Sequence, residues 1–363
     1  MSMDILGLGT AAPELVATRQ ESAAAAPYFC KPDETQARLL PVLYRKAGVE
    51  RRHLAIIDTA TGGPFERQNF FAPARDADDR GPTTAQRMQR YERYAPELAR
   101  RAAAAALADA SLAPGEVTHL VTVSCSGFYA PGFDIALMRS LGLRPGVART
   151  HVGFMGCHGA MNALRVAHAF TQADPSARVL LCALELCSLH FRYGWDPETV
   201  VTNALFSDGS AAAVCAPPRG AKPRWTLRES GSVLMPDSED AMTWRVRDHG
   251  FEMTLSPRVP ELIARHLRPW LGEWLAGRGV KLEEVGSWAV HPGGPRILQA
   301  VGETLGLPAE ALKASREVLA EYGNMSSPTV LFVLQRLSRE QAARPCVALG
   351  FGPGLVAEGM LLG

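Results

Sequence analysis

The chain has 363 residues, with 38 Lys and Arg against 37 Asp and Glu, and a formal net charge of +1 at pH 7. Its length fits two domains or one large two-part domain, and its charge balance argues against nucleic acid as a partner, because no strong overall field attracts a polyanion. The seven cysteines are odd in number and show no zinc-type spacing, so we expect reduced thiols and no metal site.

The first segment, MSMDILGLGTAAPELVA, lacks a basic stretch followed by a long apolar core. No apolar run in the sequence approaches the roughly 18 residues of a membrane span. We therefore expect a cytoplasmic protein without stable membrane association. Further along, residues 58–84 are polar and rich in turn residues, which predicts an irregular excursion over the surface.

Apolar runs of strand length then alternate with longer helix-like segments, which predicts an α/β fold with largely buried strands. The predicted strands are HLVTVSC, ARVLLCALEL and SAAAVCA, and the predicted helices include residues 94–112 and 159–173. The Pro/Gly/basic segment at 216–225 predicts a link between two halves, residues 1–218 and 225–363.

The two halves have similar endings. In the first, a helix after Cys157 is followed by NALFSDGSAAAVC, which we interpret as two strands around a glycine turn. In the second, Ser327 is the predicted N-cap and Pro328 the first residue of a helix, and VALGFGPGLVAEGMLL follows as strand, turn and strand. Both helices are small or apolar on most faces, so we expect them at the centre of the protein.

Cys157 lies between glycines in GFMGCHGAMNAL, at the predicted start of the first of these helices. A free cysteine is more often a small buried residue than a nucleophile. Here the preceding glycine permits a tight turn, and a helix N-terminus supplies N–H groups and a positive dipole end that stabilise a thiolate. Local sequence therefore leaves packing and nucleophilic roles both open.

Two other residues are candidate partners of a thiolate. His291 follows the apolar run SWAV and begins a Pro-Gly-Gly loop, a position that presents a side chain to a cleft. Asn324 lies in EYGNMSSPT before a predicted helix, where an asparagine also serves as an ordinary turn or capping residue. His158 is adjacent to the cysteine but points about 100° away on a helix, so we interpret it as structural or cavity-lining.

Together, GFMGCHGAMNAL, HPGGPRIL and YGNMSSPT resemble the type III polyketide synthases, the chalcone and stilbene synthase family of the thiolase superfamily. The motifs GTAAP, RKAGVERRHLAI, SCSGFYAPGFD, ALFSDGSAA and GFGPGL extend the resemblance over most of the chain. The resemblance implies a thiolase-like five-layer αβαβα fold built from two similar halves. It also implies an acyltransferase that forms a homodimer.

By position, the resemblance makes Cys157 the acyl-carrying nucleophile, and His291 and Asn324 complete its triad. The implied substrates are an acyl-CoA starter and malonyl-CoA, with no metal and no other cofactor. The starter moves to Cys157, and the enolate left by decarboxylation of malonyl-CoA attacks the thioester in repeated Claisen condensations. Cyclisation then gives a pyrone, a resorcinol or a related small polyketide.

The same resemblance assigns residues to the substrate cavity. Phe206 matches the family's aromatic gate, and Met253 stands where a second gate phenylalanine is usual, so we expect the gate to admit a longer or bulkier acyl chain. Cys125 and His190 replace threonines of the plant members, and Ala130 replaces a methionine that reaches the other subunit's cavity. These differences predict a bacterial-type product in place of a plant flavonoid.

Lys46 falls on one of the family's basic CoA-contact positions, whereas the matching upstream sites are Leu39 and Val42.

Two other enzymatic interpretations stay open. One is a ketoacyl synthase III-like enzyme that performs a single condensation with an extender from acyl carrier protein. The other is an acyl-CoA thioesterase that uses the same cysteine. A noncatalytic scaffold is disfavoured because all three triad residues are present.

Overall fold

The computed structural model describes residues 2–63, 66–218, 220 and 222–363. Its strands are β1 (Met3–Ala11), β2 (Val16–Thr18), β3 (Arg51–His53), β4 (His119–Ser124), β5 (Ala148–Gly153), β6 (Val179–Leu186), β7 (Asp208–Ala216), β8 (Trp225–Leu234), β9 (Met242–Arg247), β10 (Gly250–Leu255), β11 (Ser287–Val290), β12 (Cys346–Gly352) and β13 (Val356–Leu362). Its helices are α1 (Arg19–Cys30), α2 (Glu34–Lys46), α3 (Thr84–Asp109), α4 (Phe133–Leu141), α5 (Gly159–Ala173), α6 (Pro197–Leu205), α7 (Val259–Ala276), α8 (Pro295–Leu305), α9 (Lys313–Tyr322) and α10 (Thr329–Arg339).

One large mixed sheet carries both halves of the chain. Among the described residues it has nine strands in the order β11-β12-β13-β8-β1-β7-β6-β4-β5. β1 pairs antiparallel with β7 on one side and with β8 on the other. The strands of the second half therefore continue the sheet of the first, and two short two-stranded sheets, β9–β10 and β2–β3, stand apart.

Helices cover this sheet in layers. The central core packs α5 and α10 between the two parts of the sheet. A second core packs α3 and α4 against the first part, and a third packs α7 and α8 against the second part. The result is the αβαβα arrangement that the resemblance implies, and the prediction that α5 and α10 lie centrally is confirmed.

Several predicted elements agree closely with the structure. The predicted strands at residues 119–125, 177–186 and 210–216 correspond to β4, β6 and β7, and the predicted helix at 159–173 is α5. The helix predicted at 94–112 is longer, because Thr83 and Gln86 form a capping box that starts α3 ten residues earlier, at Thr84. The excursion before α3 has no helix or strand in its described residues, which exclude 64 and 65.

Two local predictions are wrong. The segment NALFSDGSAAAVC is not two strands around a turn: its first three residues end α6, and Gly209 lies within β7. The glycine is there for close packing, because a Cβ on it would lie 2.3 Å from Met325 Sδ. Ser327 does not cap α10, which has Pro328 as its N-cap; the Ser327 hydroxyl donates instead to Glu185, 2.5 Å away.

The predicted link at residues 216–225 separates β7 from β8, although Arg219 and Ala221 lie outside the described residues. The division into halves 1–218 and 225–363 stays a prediction. Within the part of the chain that the structure describes, no helix combines the length and the apolar character needed to span a membrane.

Candidate active site

Cys157 lies in a single 3₁₀ turn, Gly156–His158, that leads directly into α5. Gly156 has φ +74°, and a side chain there would come within 2.3 Å of Pro353 Cδ, so this tight turn requires glycine. The thiol is buried and lines a small cavity. The predicted placement of Cys157 at the start of the helix is therefore confirmed.

The surroundings of Cys157 favour the neutral thiol. Burial raises the pKa of Cys157 to about 11. Hydrogen bonds with the side chains of Ser326 and Asn324 lower this pKa, whereas the nearby Glu185 carboxyl raises it. Because the thiolate is the attacking species, the site needs a proton acceptor for Cys157 and hydrogen-bond donors for its sulfur.

Asn324 joins two loops of the site. Its Nδ2 donates to the carbonyl oxygen of Gly293 across 3.3 Å, and its Oδ1 accepts from the backbone N–H of Ser326 across 2.8 Å. These partners determine which end of the amide is the donor. The donor end faces the loop of His291, and the same side chain contacts the thiol of Cys157.

His291 follows β11, and its backbone N–H donates to the Leu349 carbonyl oxygen across 2.7 Å. The ring is buried, and neither ring nitrogen has a hydrogen-bond partner among the described residues. Burial lowers the pKa of His291 to about 3, with a smaller contribution from His158. The ring is therefore a neutral imidazole with one N–H to donate and one lone pair to accept a proton, both uncommitted.

Glu185 lines the same small cavity as Cys157 and was not among the predicted site residues. It accepts hydrogen bonds from the backbone N–H groups of Cys125 and Ser126, at 3.0 and 2.9 Å, and from the Ser327 hydroxyl at 2.5 Å. Burial raises the pKa of this carboxyl. A glutamate inside the apolar run ARVLLCALEL was a signal in the sequence, because a buried acid requires such a set of donors.

Cys125 lines the same small cavity as Cys157. Its Sγ lies 3.1 Å from Glu185 Oε1 and 3.6 Å from Ser326 Oγ. Burial and the adjacent carboxyl raise the pKa of Cys125 well above its ordinary value. This thiol is therefore a neutral donor that faces Glu185.

His190 lines a larger neighbouring cavity, but neither of its nitrogens is available to a ligand. Nε2 lies 2.7 Å from the Ser126 carbonyl oxygen, and Nδ1 accepts from the Phe251 backbone N–H across 2.9 Å. The ring also stacks on Phe251 at 4.2 Å between centroids. Burial lowers the pKa of His190 to about 3, so it is a neutral residue that ties β10 to the chain after β4.

The cavity at Cys157, of about 20 Å³, adjoins a mostly apolar cavity of about 120 Å³. Phe206, Met253, Cys187 and Trp244 line both, so they form the boundary. Phe206 and Met253, the two predicted gate residues, therefore both lie at this boundary. The larger cavity extends among α1, residues 54–57, residues 67–71 and α6, and its apolar lining includes Ala25, Ala26, Phe29, Leu54, Ile56 and Phe71.

Trp244 and Cys187 are the two boundary residues that sequence reasoning missed, and Trp244 is the larger. It lies opposite Met253 in the β9–β10 pairing, and its Nε1 donates to the Cys125 carbonyl oxygen across 2.7 Å. The indole also packs edge-on against Phe251 and His190. A tryptophan flanked by polar residues in MTWRVR marks an inward-facing position, but nothing in the sequence indicates which cavity it faces.

Two predicted residues lie away from both cavities. Ala130 is exposed in the loop before α4, and Lys46 is exposed at the end of α2. The end of α2 is close to the loop of His291, since a Cβ on Gly48 would lie 2.7 Å from Pro295 Cγ.

Among the described residues, no three His, Cys, Asp or Glu side chains are grouped so that they could hold a metal ion.

The chain matches two family models. The model of chalcone and stilbene synthases, N-terminal domain, matches residues 3–218, and the corresponding C-terminal domain model matches residues 226–363. A curated relative, the alpha-pyrone synthesis polyketide synthase-like Pks18 of Mycobacterium tuberculosis, is 33% identical over 367 aligned residues that cover 98% of this chain and 90% of that protein.

Solved structures show the same similarity. PKS-I of the brown alga Ectocarpus siliculosus superposes with a TM-score of 0.91 at 31% identity, covering 99% of this chain and 98% of that one. The C-terminal type III polyketide synthase domain of Steely1 from Dictyostelium superposes with a TM-score of 0.89 at 25% identity, covering 100% of this chain and 99% of that one.

Proposed function

The chain belongs to the chalcone and stilbene synthase family and is a type III polyketide synthase, and we propose that it converts an apolar acyl-CoA starter and malonyl-CoA to a pyrone. One observation supports this proposal above the others. The cavity at Cys157 adjoins an apolar cavity, and Phe206 and Met253 line both. Beside the cavity at Cys157, Asn324 is hydrogen-bonded to the loop of His291.

In the proposed first step, the neutral imidazole of His291 takes the proton of the Cys157 thiol. The thiolate attacks the carbonyl carbon of the starter thioester, and its oxyanion accepts hydrogen bonds from donors of the site. The intermediate collapses with cleavage of the bond to the CoA sulfur, which receives the proton from His291. The products are an acyl thioester on Cys157 and free CoA.

In the proposed second step, malonyl-CoA loses carbon dioxide, and the electron pair of the broken C–C bond forms an enolate. His291 N–H and Asn324 Nδ2 donate to the enolate oxygen; Asn324 suits this role because an amide N–H donates at any ordinary pH. The enolate carbon then attacks the Cys157 thioester, and the C–S bond breaks to return the thiolate. One such donor is worth about 10²- to 10³-fold in rate.

The apolar cavity supports an aliphatic or otherwise bulky starter. Its surface is mostly apolar, and 11 of its 25 lining residues are Ala, Ile, Leu or Phe, which favour hydrocarbon over polar groups; Arg52, Arg67 and Arg192 also line it. The boundary combines the flexible Met253 with the rigid Phe206, so a chain attached to Cys157 has a route between the two cavities. We propose that the starter chain occupies the larger cavity while the reacting carbonyl stays at Cys157.

The proposed product is an α-pyrone, which forms when an enol oxygen of the polyketide chain attacks its own thioester carbonyl. The support is the relative of Mycobacterium tuberculosis, whose name refers to alpha-pyrone synthesis and which is 33% identical. A resorcinol, which needs carbon–carbon ring closure, is the alternative outcome. Both products require several condensations, unlike the product of a ketoacyl synthase III-like enzyme.

We also propose a homodimer. β5 is the last strand in the order of the large sheet, so one of its edges is unpaired among the described residues. Phe128, Phe154 and Met155 add an exposed apolar surface, at 56%, 39% and 39% exposure. A second copy of the chain would cover both features.

Lys46, beside the loop that follows His291, is proposed to contact a CoA phosphate.

The experiment is an incubation of the protein with a series of acyl-CoA starters and malonyl-CoA, with the products identified by mass spectrometry. We expect pyrones with the highest rate for aliphatic starters, and none from Cys157→Ala. A single condensation without cyclisation would support the ketoacyl synthase III-like alternative. Rapid release of free acid without any malonyl-dependent product would support the thioesterase alternative.

A further inference from the structure

Ser326 is buried two residues after Asn324 and lines the cavity of Cys157. It has φ +58°, in the left-handed region that residues with a side chain rarely adopt. Such a backbone costs free energy and persists where the surroundings require it, often at functional sites. At Ser326 the conformation gives the hydroxyl and the backbone N–H two different partners in the site.

The hydroxyl of Ser326 lies between two thiols. Both thiols line the same small cavity as Ser326: its Oγ is 3.6 Å from Cys125 Sγ, and its hydroxyl lowers the pKa of Cys157. The Cys125 thiol donates to Glu185 Oε1 across 3.1 Å, so the Cys125 proton is already directed at the carboxyl. A serine hydroxyl has a single proton to donate. That proton is therefore available to the sulfur of Cys157.

The backbone N–H of Ser326 acts on the other side of the site. It donates to Asn324 Oδ1 across 2.8 Å and thereby holds the carbonyl end of the amide away from the cavity. Asn324 Nδ2 is then the end that faces the loop of His291, where it donates to the Gly293 carbonyl oxygen. Without this bond the amide could turn over and present an acceptor where a donor is needed.

We propose that Ser326 is a positioning residue that stabilises the Cys157 thiolate with its hydroxyl and orients the Asn324 amide with its backbone N–H. The inference rests on the proposed role of Cys157 as nucleophile. When the Cys157 proton moves to His291, the O–H···S bond becomes charge-assisted and strengthens, while Ser326 keeps its proton. Glu185 acts in the opposite direction, because its charge disfavours a thiolate on Cys157.

The test compares Ser326→Gly with Ser327→Ala in the full chain. Glycine adopts φ +58° without strain and keeps the backbone N–H, so this variant removes the CH₂OH side chain and leaves the backbone bond to Asn324 in place. The control removes a neighbouring hydroxyl that donates to Glu185. The readout is the rate at which iodoacetamide alkylates Cys157, followed by peptide mass spectrometry from about pH 7 to about pH 10, because the thiolate is the reacting species.

For Ser326→Gly we expect the alkylation profile to move up by about one pH unit, which is an about tenfold lower rate at a given pH. Ser327→Ala should move it by less than a third of that. Malonyl-CoA decarboxylation by Ser326→Gly should fall by a smaller factor than alkylation does, because the bond to Asn324 Oδ1 remains. Thermal unfolding curves verify that both variants are folded.

Equal alkylation rates for Ser326→Gly and the unsubstituted protein would overturn the inference, and so would an equal shift in Ser327→Ala. A loss of decarboxylation in Ser326→Gly as large as its loss of alkylation would also contradict it, since the two groups of Ser326 would then not act separately. Alkylation needs no polyketide substrate. Failure of the proposed function, seen as no malonyl-CoA turnover by the unsubstituted protein, is therefore distinguishable from failure of this inference.

Discussion

Asn324 Nδ2 donates to the carbonyl oxygen of Gly293 across 3.3 Å, and this bond joins the loop before α10 to the loop that carries His291. Asn324 also forms an isolated parallel bridge with Phe206, at the boundary of the two cavities. Hydrogen bonds therefore connect Asn324 both to the loop that carries His291 and to the backbone on either side of Phe206 at the proposed gate. We expect a substitution at one of these positions to shift the side chains at the others.

Replacing the nucleophile should separate the two proposed half-reactions. Cys157→Ala removes the acyl-carrying sulfur but leaves the donors of His291 and Asn324 in place. We expect no starter adduct by intact-mass spectrometry and no polyketide, with malonyl-CoA decarboxylation still measurable. An adduct of the same mass on the variant would show that another of the seven cysteines carries the acyl group.

Replacing the amide should affect decarboxylation most. Asn324→Ala deletes one enolate donor, and we expect an about 10²-fold lower rate of malonyl-CoA decarboxylation. His158→Gln is the control, because the His158 ring lies against Gly352 and its Nδ1 is 2.7 Å from Asn162 Oδ1. We expect less than a fivefold effect there, as the polar contact can be kept. Equal losses in both variants would contradict the assigned roles.

The gate should respond to side-chain shape at Met253. Met253→Phe places a rigid ring beside Phe206 at the cavity boundary, and we expect the preferred starter to become shorter. Met253→Leu, which keeps an aliphatic side chain of similar volume, is the matched control. The measurement is kcat/KM for a series of acyl-CoA starters of increasing length. An unchanged chain-length profile in the phenylalanine variant would remove Met253 from the gate.

His190 predicts a dependence of stability on pH. Its pKa is lowered by burial from 6.5 to about 3, so it stays neutral in the folded protein and takes up a proton in the unfolded chain. The stability it contributes is complete above about pH 6.5 and falls as the pH is lowered towards about 3, by about 1.4 kcal/mol one pH unit below 6.5. His291 has a shift in the same direction and adds to the effect.

His190→Phe tests this dependence. Phenylalanine keeps the stacking on Phe251 but cannot be protonated, so the free energy of unfolding should fall less steeply between about pH 7 and pH 5 than in the unsubstituted protein. Denaturant titrations at a series of pH values measure it. The variant also loses two hydrogen bonds at every pH, so the slope, and not the absolute stability, is the quantity to compare. Identical slopes would contradict the buried neutral state of His190.

Much of the fold was accessible from local patterns. The strands β4 and β6 and the helix α5 were predicted within two residues, because continuous apolar runs and small side chains mark buried elements. The start of α10 was predicted within one residue, but its cap was not: Ser327 looks like a cap, whereas its hydroxyl donates to Glu185, which is 142 residues away in the chain. Local signals cannot include a partner so distant in sequence.

The family and the layered fold could be predicted from the sequence, which also predicts Cys157, His291 and Asn324 as the triad, because all of these depend on short motifs whose residue types and order are visible in one chain. Only the tertiary structure decided what surrounds them. Glu185, Ser326 and Trp244 come from separate strands and loops, and their contacts with Cys157 and Cys125 exist only once the sheet brings these segments together. Burial, which sets the pKa of Cys157 and of His291, is likewise a property of the packed protein and of no single segment.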